Sequence, residues 1–276
     1  MGVKGKAAAA IFSLSLSPVN ASPLTHTHPS HPPSCQPPQL HNSSVVDGPE
    51  VPQVLDECPG QTFQVSLLLS HLLAAPAYTS DMLLHPYLSS WDELVKFMEA
   101  LGPMVGLISK EIKSKTSIIR QLAGTENNLG TSHHTGAYHS VRSMIWLELN
   151  RGLVDFHRQT DSGCRTLLRL HRALLWLKLF LQKLAEMPEA GRLRNPSELC
   201  REAYQSTLSK HHTWFVRRAA ELAFIAMPER GFFFRLLCVQ NQEELSTVLT
   251  KVVRALGEVY DRTQKALEEN GMLDLP

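Results

Sequence analysis

The sequence predicts an all-helical domain preceded by a proline-rich leader. From Phe63 onward the apolar residues recur at three- and four-residue spacing, which is the helix period. Alternating apolar and polar runs, the mark of half-buried strands, are scarce. The composition is also split. Ten of the 17 prolines, but only six of the 53 charged residues, lie in the first sixty of 276 positions. Only the later part has the apolar content to build a sizeable core.

The leader is taken as residues 1–62 and the helical domain as residues 63–276. Ser17 to Gly60 is rich in Pro, Ser, His and Asn, with five prolines between Pro29 and Pro38. Proline removes backbone donors and blocks helix, so this stretch is expected to be an extended or disordered tether. Its histidines, His26, His28, His31 and His41, lack a frame to fix a metal geometry. Lys4 and Lys6 precede a short apolar run, Ala7 to Leu16, and Val19-Asn20-Ala21 passes as a small-residue cleavage site. N-x-S sequons follow at Asn20 and Asn42. Secretion is therefore an open alternative. The run is weak for a signal peptide and too short to span a bilayer. The five cysteines (Cys35, Cys58, Cys164, Cys200 and Cys238) are scattered and form no C-x-x-C pair. That pattern favours free thiols in the cytosol over a disulfide framework or a zinc site.

In the domain, helices are expected to start near Phe63, Pro86, Val105, Ser140, Gly163, Asn195, His212 and Glu243. Trp91, Leu94, Val95, Met98 and Leu101 make one stripe. Val248, Val252, Leu256, Val259 and Tyr260 make another. Leu167, Leu168, Ala173, Leu174, Leu177 and Leu179 belong to a helix apolar over much of its circumference, which should be central. Gly102-Pro103, Gly124 to Gly136, Pro188 to Pro196 and Pro228 to Gly231 read as breaks. Asn195 is placed as an N-cap with Pro196 in the first turn. Phe232, Phe233 and Phe234 cannot all face one side of a helix, so at least one should be core, and another could form an exposed wedge.

A net charge of +1 gives no argument for nucleic acid. There is no Gly-rich phosphate loop, no G-x-S-x-G and no H-E-x-x-H. His133, His134 and His139 cluster in a loop-like stretch and read as solvated side chains. The unusual charges sit on helices. Glu111 and Lys115 lie four apart on one face, either an exposed ion pair or part of a site. Arg165 and Arg169 open the most apolar helix, where a guanidinium must meet an anion or reach solvent. Arg172 is expected to reach solvent. His211, His212 and Trp214 form a further polar and aromatic group ahead of Arg217 and Arg218.

The chain resembles the glycolipid transfer protein superfamily, and within it the ceramide-1-phosphate transfer branch. The resemblance rests on Leu84-His85-Pro86-Tyr87 with Trp91 downstream, on Ile108 to Lys115, and on Ser162 to Arg172. His212 to Arg218 and the terminal Leu273-Asp274-Leu275-Pro276 complete it. It implies a two-layer all-helical fold with an internal apolar pocket, carrying one sphingolipid between membranes with no chemistry and no cofactor or metal. The physical logic agrees. Pulling a sixteen-carbon chain into water costs about 13 kcal/mol, at about 0.8 kcal/mol per methylene, so an apolar sleeve lowers the barrier to desorption.

Lys115, Arg165 and Arg169 correspond to the family's phosphate-binding cations, and His212 to the histidine that hydrogen-bonds the ceramide amide carbonyl. Arg169 stands where the sugar-binding branch has a tryptophan, which exchanges a stacking plate for an anion clamp. Trp176, further along the same helix, corresponds to a core aromatic. Glu111 falls where the family has Asp, one methylene shorter, and Thr213 departs from the usual small residue or proline. Trp214 corresponds to a tryptophan that docks on the bilayer; a half-buried packing role is the alternative. The expected partners are a ceramide-1-phosphate-like sphingolipid and a transient membrane surface, with no nucleic acid, and the chain is expected to be a monomer in the cytosol. The same fold used as a sphingolipid sensor or adapter, or a secreted helical ligand, are the alternatives.

Overall fold

The computed structural model describes residues 55, 57–128, 136–188 and 191–276. Most of the leader therefore lies outside the described residues, as do its four histidines, both sequon asparagines, Cys35, His133 and His134. The described chain belongs to a compact unit running from Val51 to Pro276. Its helices are α1 (Val65–Ala74), α2 (Leu84–Ala100), α3 (Pro103–Asn128), α4 (Val141–Asn150) and α5 (Gly163–Ala185), then α6 (Pro196–Ser206), a 3-10 turn (Ser209–His211), α7 (Trp214–Ile225), α8 (Arg230–Leu236) and α9 (Gln242–Glu268). Among the described residues there is no β-strand, only isolated bridges between Pro76 and Met82 and between Leu83 and Ser140. No helix among them is long and apolar enough to cross a membrane.

The all-helical expectation holds, and the helix starts fall within two residues of those expected. α8 is the helix that periodicity missed. Seven residues are too few to show a period, and Pro228 and Gly231 read as breaks. The break expected from Gly124 begins later, because α3 runs on to Asn128 with Leu122 and Ala123 packed against the core. Asn195 caps α6 as expected, its side chain accepting from the Ser197 amide, with Pro196 in the first turn.

α5 is central and packs against α9, α6, α3 and α4. α2 packs between α1 and α3, and the two groups meet where α3 touches α5 and α1 touches α9. Aromatic rings fill the space between them. Phe97 of α2 lies 6.3 Å from Phe233 of α8, and Phe180 of α5 lies 6.1 Å from the same ring. Phe233 is therefore core, while Phe232 and Phe234 are half-buried against it, so no exposed aromatic wedge forms. Each fully buried Leu or Phe contributes about 1.5–3 kcal/mol. The stripe from Trp91 to Leu101 is buried throughout.

The cysteine expectation needs correction. Cys58 and Cys238 form a disulfide across 180 residues, and only Cys164 and Cys200 remain as free, buried thiols among the described residues. A pairing over that separation cannot be read from spacing; it exists because α8 returns the chain beside the entry to α1. The Gln64 side chain holds that entry in place, accepting from the Cys58 amide and donating to its carbonyl, each at 2.8 Å. Burial pushes both free thiols well above their ordinary range, so neither is a ready nucleophile.

Candidate functional site

A cavity of about 450 Å³ opens where α3, α5 and the joint between α6 and α7 meet. α3 contributes Glu111 and Lys115, four apart and so on one face. α5 contributes Arg169 and Arg172, and the short turn before α7 contributes His211 and His212. The rest of the lining is apolar: Ile108, Ile112, Ala173, Trp176, Leu208 and Val216. Trp176 is also a core residue, as expected, with its indole N–H donating to the Cys200 carbonyl at 3.4 Å. Charged groups at the rim above an apolar floor give this cavity an amphipathic character.

Four of the five expected head-group residues, Glu111, Lys115, Arg169 and His212, line this one cavity. Arg165 stands behind it, one turn earlier on α5. It is coupled to Arg169 in two ways. Arg169 Nη1 donates to the Arg165 carbonyl at 3.2 Å, and both guanidiniums donate to the main-chain oxygen of Pro276. Glu111 bridges Lys115 at 2.6 Å, with a carboxylate side chain 68% exposed and a lysine 21% exposed. The ordinary surface-pair reading therefore describes the glutamate better than the lysine.

Two further polar residues line the cavity: His211, grouped with His212 in the sequence but given no role there, and Arg172. Arg172 does not run out to solvent. It is half-buried, and its Nη2 donates to the Leu273 carbonyl at 2.8 Å. Its partner was not visible in the sequence, because the acceptor lies 101 positions away. Tyr204 was missed as well; its hydroxyl meets His212 Nδ1 at 3.0 Å and fixes the ring.

The electrostatics suit an anion. Burial lowers the Arg169 pKa, and the neighbouring Arg165 and Arg172 lower it further; only Glu111 opposes them. A group held among like charges gains when an anion arrives. Burial lowers the pKa of His212 and that of His211, which favours the neutral form of both. Neutral His212 is then free to hydrogen-bond an uncharged ligand group.

Beyond the rim, Trp214 is 56% exposed and Phe215 78% exposed, and their rings meet edge to face at 5.0 Å. Arg218 lies over the Trp214 ring at 5.5 Å. Trp214 is thus a surface residue and not a packing aromatic.

A cationic cavity over an apolar floor, in an all-helical frame, defines a helical protein of the two-layer lipid-transfer fold. Residues 82–239 match the family model described as glycolipid transfer protein, and the chain belongs to that family. It is 40% identical to the ceramide-1-phosphate transfer protein of Xenopus laevis over 200 residues, which is 71% of this chain and 88% of that protein. The apo-form structure of the mouse ceramide-1-phosphate transfer protein is similar, with a TM-score of 0.69 and 35% identity, covering 78% of this chain and 100% of that one. The human ceramide-1-phosphate transfer protein in complex with 12:0 ceramide-1-phosphate has a TM-score of 0.68 and 37% identity, covering 76% and 98% of the two chains.

Proposed function

We propose that this protein carries one ceramide-1-phosphate-like sphingolipid between membranes, as a monomer, without chemical conversion and without a cofactor. The observation that carries this reading is the convergence of Lys115, Arg169 and Arg172 on one apolar-floored cavity, with Arg165 behind them. A phosphate monoester bears about −1.5 to −2 charges, and the planar fork of arginine suits its oxygens. Neutral His212 is suited to donate through Nε2 to the amide carbonyl. The Glu111 carboxylate is suited to accept from the amide N–H once it leaves Lys115. The likeness to a human protein crystallised with ceramide-1-phosphate supports the same ligand class.

Trp214 and Phe215, followed by Arg217 and Arg218, supply the transient membrane contact in this reading. Aromatic rings settle at the head-group level, and arginines meet anionic lipid. Residues 1–62 act as a leader outside the carrier domain.

The test is transfer of labelled ceramide-1-phosphate between vesicles. The wild-type protein should transfer it, and Arg165→Leu or Arg169→Leu should abolish transfer. Unchanged rates in both variants would refute the phosphate assignment. Native mass spectrometry should find the co-purified lipid.

The disulfide favours one change in the expected compartment. Free thiols were the ground for a cytosolic setting, and the Cys58–Cys238 pair removes it. An oxidising compartment, reached through the signal-like segment before the Asn20 and Asn42 sequons, fits the pair better. A glycan on Asn42, which lies beyond the Val19-Asn20-Ala21 cleavage site, in protein from its native cells would support this. A retained Met1 or Gly2 with unmodified asparagines would return the carrier to the cytosol.

A further inference from the structure

The three arginines at the cavity donate to acceptors from one place, the segment that follows α9. Arg165 Nε donates to the main-chain oxygen of Pro276 at 2.5 Å, and Arg169 Nη2 to the same oxygen at 3.3 Å. Arg172 Nη2 donates to the Leu273 carbonyl. The segment is positioned by local chemistry. Gly271 adopts φ +66°, the left-handed conformation that ends a helix, and the Met272 amide returns to the Leu267 carbonyl at 2.9 Å. That turn sends the chain back across α5. Met272 and Leu275 are then buried in the core, and the main-chain oxygens of Leu273 and Pro276 face the arginines. None of these tail residues lines the cavity.

We infer that Leu273–Pro276 is a positioning strap, which orients Arg165, Arg169 and Arg172 from outside the cavity so that their charge is presented to an anion. An unheld arginine samples many rotamers and loses that freedom on binding. Three close guanidiniums also repel one another, so unheld they would splay toward solvent. The Leu273 carbonyl carries no charge, and a single carboxylate at Pro276 set against three guanidiniums leaves the cluster cationic for an anion. The acidic side chain of the strap, Asp274, is exposed, and its charge favours the protonated form of Arg172. The strap residues are therefore specificity-determining for the phosphate while touching no ligand themselves.

This inference rests on the proposed ligand class, and the experiment separates the two. Binding of ceramide-1-phosphate and of uncharged ceramide is measured for the full chain, for a chain lacking residues 273–276, and for Leu275→Ala. Leu275→Ala keeps both acceptor oxygens but loosens the anchor. If the full chain fails to prefer ceramide-1-phosphate, the ligand reading fails and the strap falls with it. If it does, the truncated chain should lose at least tenfold in affinity for ceramide-1-phosphate, by the gain from fixed charge-assisted bonds. Its affinity for ceramide should stay within about twofold. Leu275→Ala should shift the ratio in the same direction by about threefold, and it stands as the test if the truncated chain does not fold. The Arg165 Nε–H signal, slow to exchange with solvent in the full chain, should exchange fast in both variants. Equal losses for the two lipids would mean a structural role only. An unchanged ratio with an exchange-protected Arg165 would overturn the strap outright.

Discussion

The Glu148 carboxylate on α4 accepts the Gly163 amide of α5 at 2.6 Å, capping a neighbouring helix fifteen residues further along the chain. Its second oxygen accepts the Cys164 amide at 2.8 Å, and the Tyr138 hydroxyl donates to the first at 2.7 Å. Ser162 takes the Arg165 amide at 3.2 Å. The first amides of the central helix, which have no partner within it, are thus satisfied by an acid from another element. That cap fixes the start of the helix that bears Arg165, Arg169 and Arg172.

Glu148 is completely buried, so Glu148→Ala should strand two amides and a hydroxyl. The expected cost is about 3 kcal/mol. Gly163→Ala should also destabilise, because a Cβ there would sit 2.7 Å from Met144 Sδ and 2.8 Å from Glu148 Oε1. Urea unfolding of both variants checks this. Stability equal to wild type in Glu148→Ala would show that the cap carries no weight.

His171 should make the protein acid-sensitive. It is buried, stacks on Tyr260 at 4.2 Å, and bonds Gln264 through Nε2 at 2.7 Å. Burial pulls its pKa down to about 4. The unfolded chain binds the proton near pH ~6.5, so between those values U holds more protons than N, and stability rises with pH. The stabilisation is whole above pH ~6.5 and is lost as pH falls toward the folded value, by about 3 kcal/mol in all. Unfolding midpoints measured across that window should slope steeply for wild type and less for His171→Phe. Identical slopes would clear His171 of any part in the acid response.

The disulfide should be worth several kilocalories. Chain-entropy reasoning for a long closed loop gives about 5 kcal/mol, and native bridges commonly contribute about 2–5 kcal/mol. Cys58→Ser and Cys238→Ser should each lower the urea midpoint. Reductant should bring wild type to the same level and leave the variants unmoved. A wild-type midpoint indifferent to reductant would contradict the pair.

Trp214→Ala and Phe215→Ala should leave the fold intact, because both rings are exposed. Each should weaken binding to anionic vesicles, by roughly threefold to tenfold, from loss of an interfacial aromatic. Vesicle sedimentation measures it. Undiminished binding in the double variant would move the membrane face elsewhere.

Local patterns reached far in this protein. The stripe from Trp91 to Leu101, the Asn195 cap and the apolar face of α5 each depend on residues within a few turns of one another. Glu111, Lys115 and Arg169 could be singled out because a four-residue spacing places charges on one helical face, or because a charge on a central helix calls for a partner. Distant partners were not legible. Nothing near Glu148 in the chain marks it as the cap of another helix, and Arg172 looked bound for solvent until the tail after α9 supplied its acceptor. α8 failed for a different reason, being shorter than the window in which a period can be recognised.

The sequence by itself determined the helical class, the order of the elements, the candidate cations and the family resemblance, because each follows from short-range periodicity, charge spacing or contiguous motifs. Only the tertiary structure decided that Arg165 stands behind the cavity, that main-chain oxygens of the tail hold the arginines, and that Cys58 meets Cys238. Those contacts join residues separated by 101 to 180 positions. Their formation depends on how helices cross once their apolar faces are buried together, and that crossing has no counterpart in any local stretch of chain.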